Sequence, residues 1–249
     1  MNILIVKLSA VGDVIHTLPS LSALRKRFPD AHITWVIEEA AAEIVRDHPD
    51  LDRVIVSRRK GWWKEIRSGR FRKPLREMKT FLGNLRDRHF DLVIDLHGLF
   101  KSAVLVFLSH GGRKIGYDSY QELSGFFYNE KIPEDMNKHA VDRYLDFAGY
   151  LGAAVTQPEF RIAVGKENRK RVDELLEAHG IAGPFIALNP VAYWDTKLWE
   201  DERFAALCDR IDEAYGIPVV LTGQQAPSLE KIRSLSRRGV INLEGQTTL

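Results

Sequence analysis

The chain has 249 residues, 45% hydrophobic and 28% charged, as in ordinary soluble proteins, and its length is near that at which one core gives way to two domains. The net charge of +2 gives no general preference for nucleic acid. The single cysteine, Cys208, excludes an intrachain disulfide, and the longest apolar stretch (102–109) is far shorter than the roughly 20 residues that span a bilayer. With no signal segment recognised, we expect a cytoplasmic protein or one at the cytosolic face of a membrane.

The first half of the chain alternates short apolar runs with helical patterns. Apolar residues three or four apart, from Ile15 to Phe28, predict a helix after the first run. Pro19 lies inside that pattern, so we expect a kink there or a helix that restarts near Thr17. Buried runs separated by helices favour a parallel sheet with helices on both faces. Strands are predicted at 2–6, 33–37, 53–57 and 91–96.

A helical pattern at 139–152 closes the first half, and the weakly periodic stretch 153–167 is predicted to connect two domains, 1–158 and 159–249. The second half repeats the alternation. Its predicted strands are 185–190, 218–223 and 240–245, and its predicted helices are 200–216 and 228–238. Because three strands with an exposed edge make a poor independent sheet, we expect the second domain to be incomplete in this chain.

The loop after the first strand, within KLSAVGDVIHTLPSL (7–21), carries candidate functional residues. It has one glycine, whereas a dinucleotide-binding loop needs G-x-G-x-x-G, and no Walker sequence occurs in the chain. Ligands of open α/β sheets bind at the carboxyl ends of strands, where we expect Ser9, Gly12 and Asp13. Asp13 has two interpretations: an acid favoured by the dipole in a first helical turn, or a general base held at a cleft.

The segment 57–79, SRRKGWWKEIRSGRFRKPLREMK, concentrates positive charge. Ten Lys and Arg against two Glu give +8, which leaves −6 for the rest of a chain whose net charge is +2. A solvated face is the default interpretation, and the near-neutral total disfavours nucleic-acid binding. The third interpretation is that the segment binds an anionic, partly lipidic ligand. Trp62 and Trp63 would then sit at a headgroup interface, with carboxylates or phosphates bound by Arg58, Arg59 and Lys60.

Several motifs resemble a known family. They are ILIVKLSAVGDVIHTLPSLSALRKRFPDAHITWVIEE (3–39), FDLVIDLHGLFKSA (90–103), FFYNEKI (126–132), HAVDRY (139–144) and LNPVAYWDTKLWEDERF (188–204). Together they resemble ADP-heptose:lipopolysaccharide heptosyltransferases, most closely the heptosyltransferase I type. The resemblance implies a GT-B fold, in which two Rossmann-like domains face a cleft. The family's later D-x-G-x-x-H donor motif has no counterpart in the chain.

The resemblance further implies a metal-independent, inverting transfer of heptose from ADP-heptose to Kdo of Kdo-lipid A, without a cofactor, at the cytosolic face of the inner membrane. Asp13 would be the catalytic base, and Lys197 would contact the donor diphosphate. The residues expected to bind the acceptor are Lys7, Ser9, Gly12, His16, Arg58, Arg59, Lys60, His97, Gly98, Lys101 and Ser102. Those expected to bind the donor are Asn189, Tyr193, Lys197, Gly223 and Glu230.

Other interpretations stay open. The missing donor motif favours a non-catalytic, acceptor-binding fragment, and a heptosyltransferase II-like enzyme is a further alternative. The absent glycine fingerprint disfavours a nucleotide-dependent oxidoreductase. His16 is as compatible with packing or capping as with acceptor contact. No histidine pair has metal-ligand spacing together with a cysteine or carboxylate, so we expect no metal site.

Overall fold

The computed structural model describes residues 1–118, 121–155, 157–192, 194–224 and 226–247. The chain divides into two compact units, Met1–Ala163 and Val164–Leu249. The sequence pattern places the domain boundary at 158/159, a few residues before this division. Each unit has a parallel sheet of its own.

A six-stranded parallel sheet forms the centre of the first unit, in the spatial order β3-β2-β1-β4-β5-β6. The strands are β1 (Asn2–Val6), β2 (His32–Glu38), β3 (Arg53–Ser57), β4 (Phe90–Asp95), β5 (Gly111–Tyr117) and β6 (Glu130–Ile132). The central strands are buried on both faces, which is why they are continuous apolar runs. The four strands predicted in this half are confirmed to within one residue at each end.

Helices cover both faces of this sheet. Alternate residues of β1 divide between two cores: Ile3 and Ile5 belong to one, Leu4 and Val6 to the other. The first core is closed by α1 (Val11–Arg27), α5 (Ala140–Tyr150) and a 3₁₀ helix (Glu39–Ile44). The second is closed by what we call the α2–α4 layer: α2 (Arg59–Arg67), α3 (Arg72–Arg86), α4 (Phe100–Leu108) and a 3₁₀ helix (Gln121–Phe127).

Helix α1 runs through Pro19 without interruption, so the expectation that it restarts near Thr17 was wrong. Proline has no backbone N–H, so the Ile15 carbonyl does not accept the hydrogen bond that another residue at position 19 would donate. The buried flank of the helix compensates, because Val14, Leu18 and Leu21 all lie in the first core. Tertiary packing therefore holds a helix that its local sequence would weaken.

The second unit has a three-stranded parallel sheet in the order β7-β8-β9. Its strands are β7 (Ile186–Leu188), β8 (Val219–Leu221) and β9 (Ile241–Asn242), and its helices are α6 (Lys166–Ala178), α7 (Asp201–Tyr215) and α8 (Pro227–Leu235). Each strand is shorter than the run that predicted it. Cys208, Leu221 and Leu229 are buried in its core. Among the described residues, no helix combines the length and apolarity needed to cross a bilayer.

Strand β5 lies so close to Tyr128 that Gly116 is required. A Cβ atom at Gly116 would overlap the Tyr128 ring, whereas one at Gly112, in the same strand, would have its nearest neighbour at 3.7 Å. Tyr128 is itself held in place, since its hydroxyl donates to Asp95 Oδ2 at 2.7 Å. Displacing the ring would therefore strain or break this hydrogen bond.

We expect Gly116→Ala to lower the free energy of unfolding by about 2 kcal/mol, because overpacking a filled core displaces side chains or backbone. Gly112→Ala is the matched control and should change it by less than about 0.5 kcal/mol, because surface substitutions away from such contacts are tolerated. Urea denaturation followed by tryptophan fluorescence measures both. Equal stability of the two variants would contradict this account of the β5–Tyr128 contact.

Candidate functional site

The carboxyl ends of β1 and β4 are neighbours in the middle of the first sheet. The strand order continues to β2 and β3 on one side and to β5 and β6 on the other. This is a topological switch point, where open α/β sheets bind ligands. The loops that leave β1 and β4 carry Lys7, Ser9, His97 and Gly98. The fold thus brings two separate sequence motifs to one edge.

Asp13 occupies the first turn of α1 and is exposed. The backbone N–H of Ala10 donates to its Oδ2 at 3.3 Å, which is the contact of an acid that caps a helix start. Gly12 is also exposed, and nothing lies within 4 Å of where a Cβ atom would be. The carboxylate is therefore tethered at one oxygen and open to solvent beside a residue without a side chain.

Lys7 lies beneath this surface and is only 3% exposed. Its ammonium donates to the Leu96 carbonyl at 3.0 Å and to the Tyr144 hydroxyl at 2.6 Å. Burial lowers the pKa of Lys7 to about 8, although the carboxylates of Asp13 and Asp95 act to raise it. Such a side chain is shielded from an acceptor, so we reassign Lys7 from direct acceptor binding to support of the site.

Asp95 ends β4 and organises the loop that follows. It is fully buried; its Oδ1 accepts from the backbone N–H groups of His97 (2.8 Å) and Gly98 (3.1 Å), and its Oδ2 accepts from Tyr128. Burial raises the pKa of Asp95, and these hydrogen bonds oppose the rise. Gly98 has a φ of +71°, which favours glycine. Asp95 was not predicted from the sequence, although an acid that ends a buried apolar strand was a usable signal.

Ser9 and Lys101 meet across the two loops, with the Lys101 ammonium donating to Ser9 Oγ at 3.2 Å. Ser102, one residue further on, is fully buried. Its hydroxyl donates to the Leu99 carbonyl at 2.7 Å and accepts from the Leu99 N–H at 3.2 Å, so it caps the start of α4. We therefore assign Ser102 to helix capping instead of acceptor binding.

Two histidines of the predicted acceptor set differ in their surroundings. His97 is half-buried at the switch point; burial, followed by the ammonium groups of Lys101 and Lys7, lowers its pKa to about 3. It is therefore neutral at physiological pH. His16 packs edge-on against the exposed ring of His139, with ring centroids 5.4 Å apart. That contact corresponds to the packing interpretation of His16.

The two neighbouring tryptophans of the basic segment have opposite environments. Trp62 is 7% exposed, packs against Phe81 and donates to Glu77 Oε2 at 2.9 Å. Trp63 is 55% exposed. The interpretation that places both rings at a headgroup interface was therefore wrong for Trp62, which faces the core of its amphipathic helix.

The predicted anion-binding trio lies against carboxylates. Arg58 contacts Glu39 (3.0 Å) and Glu77 (2.8 Å). Glu38 lies at the carboxyl end of β2. Its carboxylate is 3.0 Å from the Arg59 guanidinium and 3.7 Å from the Lys60 ammonium. Glu38 is buried, whereas the three cations are at least one third exposed. A ligand anion would have to compete with these glutamates for the three cations.

Four of the donor residues expected in the second unit lie in its described part; Tyr193 lies outside the described residues. Asn189 follows β7 and uses its Oδ1 to accept from the Val191 N–H at 3.2 Å. Gly223 follows β8, and a Cβ atom there would approach Val191 Cγ2 to 2.7 Å. Lys197 is exposed in a short 3₁₀ helix (Asp195–Lys197). Asn189 and Gly223 thus share the carboxyl edge of the second sheet.

Glu230 differs from the other donor candidates. It is exposed in α8 and lies 2.8 Å from Arg233, one helical turn away. Across the residues that the structure describes, no three His, Cys, Asp or Glu side chains form a group that could hold a metal ion.

A family profile matches this chain over residues 78–249, and its description is glycosyltransferase family 9 (heptosyltransferase). The match covers more than half of the chain. The chain belongs to glycosyltransferase family 9.

Curated relatives include lipopolysaccharide heptosyltransferase 1 of Escherichia coli strain K12, which is 34% identical over 212 residues; the alignment covers 83% of this chain and 63% of that protein. The Pseudomonas aeruginosa PAO1 protein of the same name is 34% identical over 221 residues, with 86% and 58% covered. The chain thus spans less than two thirds of the length of these relatives.

Among solved structures, E. coli heptosyltransferase WaaC with ADP-2-deoxy-2-fluoro heptose has 32% sequence identity to this chain and a TM-score of 0.78. The alignment covers 98% of this chain and 76% of that chain. The predicted fold class, α/β of the GT-B type with parallel sheets, is confirmed by this likeness.

Titration of Lys7 predicts a pH dependence of stability. Its pKa in the folded chain, about 8, lies below the ordinary value of 10.5. Between these two pH values the unfolded chain therefore binds more protons than the folded chain. Stability should therefore rise with pH across this window, by ~3 kcal/mol at most. Lys7→Met removes the titrating group, so the free energy of unfolding of the parent relative to this variant should grow between pH 7.5 and pH 10.

Urea denaturation at both pH values measures the effect, with Lys170→Met, which alters an exposed lysine of α6, as the matched control. The free energy of unfolding of that control should change with pH as the parent's does. Parallel curves for Lys7→Met and the parent would show that Lys7 does not titrate in this window.

Proposed function

We propose that this family 9 chain contributes to transfer of heptose from ADP-heptose to a Kdo residue of the lipopolysaccharide inner core, as an inverting glycosyltransferase at the cytosolic face of the membrane. The observation that carries the proposal is the exposed Asp13 carboxylate at the β1/β4 switch point, in a chain of this family. The names of the relatives support the donor and the acceptor class.

The chemistry requires one base. In an inverting transfer the acceptor hydroxyl oxygen attacks the anomeric carbon from the face opposite the leaving diphosphate, the bond to ADP breaks, and the hydroxyl proton must leave. Asp13 can accept that proton at the oxygen that Ala10 does not engage. The open space beside Gly12 gives a sugar hydroxyl room to approach.

Acceptor recognition is assigned to the exposed and half-exposed part of the predicted set. Kdo carries a carboxylate, for which Lys101 and Arg59 are suitable partners, because cations form short, charge-assisted hydrogen bonds with carboxylates. Ser9 and His97 add neutral hydrogen-bonding groups along the same edge, since the His97 ring is uncharged. Gly98 is buried, and its N–H and carbonyl are already bonded to Asp95 and Ser124, so we leave it out of direct acceptor contact. Curated relatives include both heptosyltransferase 1 and heptosyltransferase 3. Kdo as the acceptor sugar is therefore part of what we propose.

The donor is assigned to the second unit. As the bond to heptose breaks, negative charge grows on the leaving ADP, and a positioned ammonium can stabilise it. Lys197 is an exposed cation and can take this role. Asn189 and Gly223, at the ends of β7 and β8, lie where α/β sheets bind ligands.

Replacement of Asp13 by Asn separates a base from a helix cap. Asn keeps the oxygen that accepts from Ala10, and it substitutes well for Asp at helix starts, so the melting temperature should change little. An amide cannot take the hydroxyl proton, so kcat should fall by about 10³-fold or more while ADP-heptose and acceptor still bind. The measurements are the rate of heptose transfer to Kdo-lipid A and the thermal unfolding of the same variant. A near-normal kcat would show that Asp13 is only a helix cap.

Lys197→Ala tests the donor assignment. Loss of one positioned donor to developing negative charge costs about 10²–10³-fold in kcat, and we expect a fall of this size with the fold intact. Lys170→Ala removes another exposed lysine of the second unit and is the matched control. If the two variants turn over equally fast, Lys197 has no part in the transfer.

A further inference from the structure

The α2–α4 layer exposes a group of large apolar side chains, which we call the aromatic patch: Phe100, Phe107, Leu123 and Phe126, gathered around Phe127. Their exposed fractions are 49%, 63%, 59% and 75% for the first four. Within the described residues, Phe126 has the largest exposed fraction among the large apolar side chains. None of these residues was singled out from the sequence for its exposure.

Part of the patch is a cluster of rings in mutual contact. The Phe127 ring contacts the rings of Phe100 and Phe107, with centroids 6.0 and 5.9 Å away. Leu123 and Phe126 are three residues apart in a 3₁₀ helix, which places their side chains on the same side. Leu123 has a φ of +62°, an uncommon conformation for a bulky residue. The local backbone thus presents these groups to solvent at some conformational cost.

The size of the patch matches that of apolar surfaces that often bind a partner. With about 200 Å² for each large apolar side chain, the four expose on the order of 500 Å². The largest apolar patch of a typical soluble monomer is roughly 300–600 Å², and patches of this size often bind a partner. Scattered single apolar residues would need no explanation, whereas this contiguous group does.

The same layer carries unbalanced positive charge on α2, α3 and their connection. Within the described part of the chain, six of the seven cations between residues 61 and 80 have no carboxylate within 4 Å: Lys64, Arg67, Arg70, Arg72, Arg76 and Lys79. All six are exposed. Three exposed apolar side chains lie among them: Trp63, Phe71 and Leu75. The layer therefore combines cations that lack internal partners with apolar side chains that lack cover.

We propose that the exposed surface of the α2–α4 layer docks on an anionic lipid bilayer. Apolar side chains of an interfacial protein lie at the boundary of headgroups and acyl chains, and neighbouring Lys and Arg side chains attract anionic headgroups. The aromatic patch supplies the first contribution and the six cations the second.

The aromatic patch is tied to the switch point. Ser124 Oγ, in the middle of the 3₁₀ helix, donates to the Gly98 carbonyl at 3.1 Å. Phe100 directly precedes Lys101, which contacts Ser9. A bilayer held against the patch would thus lie close to the candidate site, where a lipid-anchored acceptor could reach it. Docking does not depend on the proposed function, because it can be measured without substrates.

The aromatic contribution is tested with Phe107→Ser/Phe126→Ser. The probe is a vesicle of phosphatidylglycerol and phosphatidylethanolamine, and bound protein is measured by co-sedimentation. We expect the vesicle partition coefficient to fall at least tenfold, because two apolar anchors are lost. Phe160→Ser/Tyr215→Ser removes two other exposed rings and is the matched control, expected to bind like the parent. Equal losses in both double variants would overturn the proposal.

The charge contribution is tested with Arg72→Gln/Arg76→Gln/Lys79→Gln. Binding at low ionic strength should fall by about 100-fold, and the deficit should shrink as salt is raised. Vesicles of phosphatidylcholine alone should bind the parent weakly. Failure of the parent to bind anionic vesicles would overturn the proposal. So would sedimentation showing that the patch joins two copies of the chain while vesicle binding survives Phe107→Ser/Phe126→Ser.

Discussion

A carboxylate buried at the end of a strand is costly unless its oxygens find donors, and Asp95 is fully buried at the end of β4. Its donors come from different parts of the first unit: two backbone N–H groups of the following loop and the hydroxyl of Tyr128, which directly follows a 3₁₀ helix. Those bonds fix the loop that presents His97 and anchor the chain directly after the 3₁₀ helix that carries Leu123 and Phe126. The candidate site and the proposed lipid-binding surface therefore share one buried anchor.

Lys7 adds the opposite charge beneath the same edge. Its ammonium is held by a carbonyl and a phenol, with the carboxylates of Asp13 and Asp95 nearby. Burial, and to a lesser degree Asp13, raises the pKa of Tyr144 to about 12, so the phenol stays neutral and keeps its proton. The exposed acid thus lies above a buried cation and a neutral hydroxyl, and the buried cation is not in the path of an acceptor.

Four of the six strands of the first sheet could be predicted because burial on both faces makes them apolar runs, whereas the short β6 was missed. The opening loop pointed to Asp13 by position alone. Strand β5 was missed, since GGRKIGY lacks such a run and depends on its neighbours for pairing. The basic segment was described by charge alone; its helical period, with Trp62 inward and Trp63 outward, was present but not used. Burial of Lys7 and Ser102 could not be predicted, because both depend on contacts between distant parts of the chain.

The contact between β5 and Tyr128 has a consequence for how this sequence can vary. Residue 116 has no space for a side chain while residue 128 is tyrosine, so the two positions can change only together. A smaller residue at 128 would admit alanine at 116, but Asp95 would then lose its hydroxyl donor. A third change, at Asp95, would then be needed to remove the buried carboxylate that has lost this donor. These three distant positions form one unit of substitution, and variants that change them together should be more stable than variants that change one of them alone.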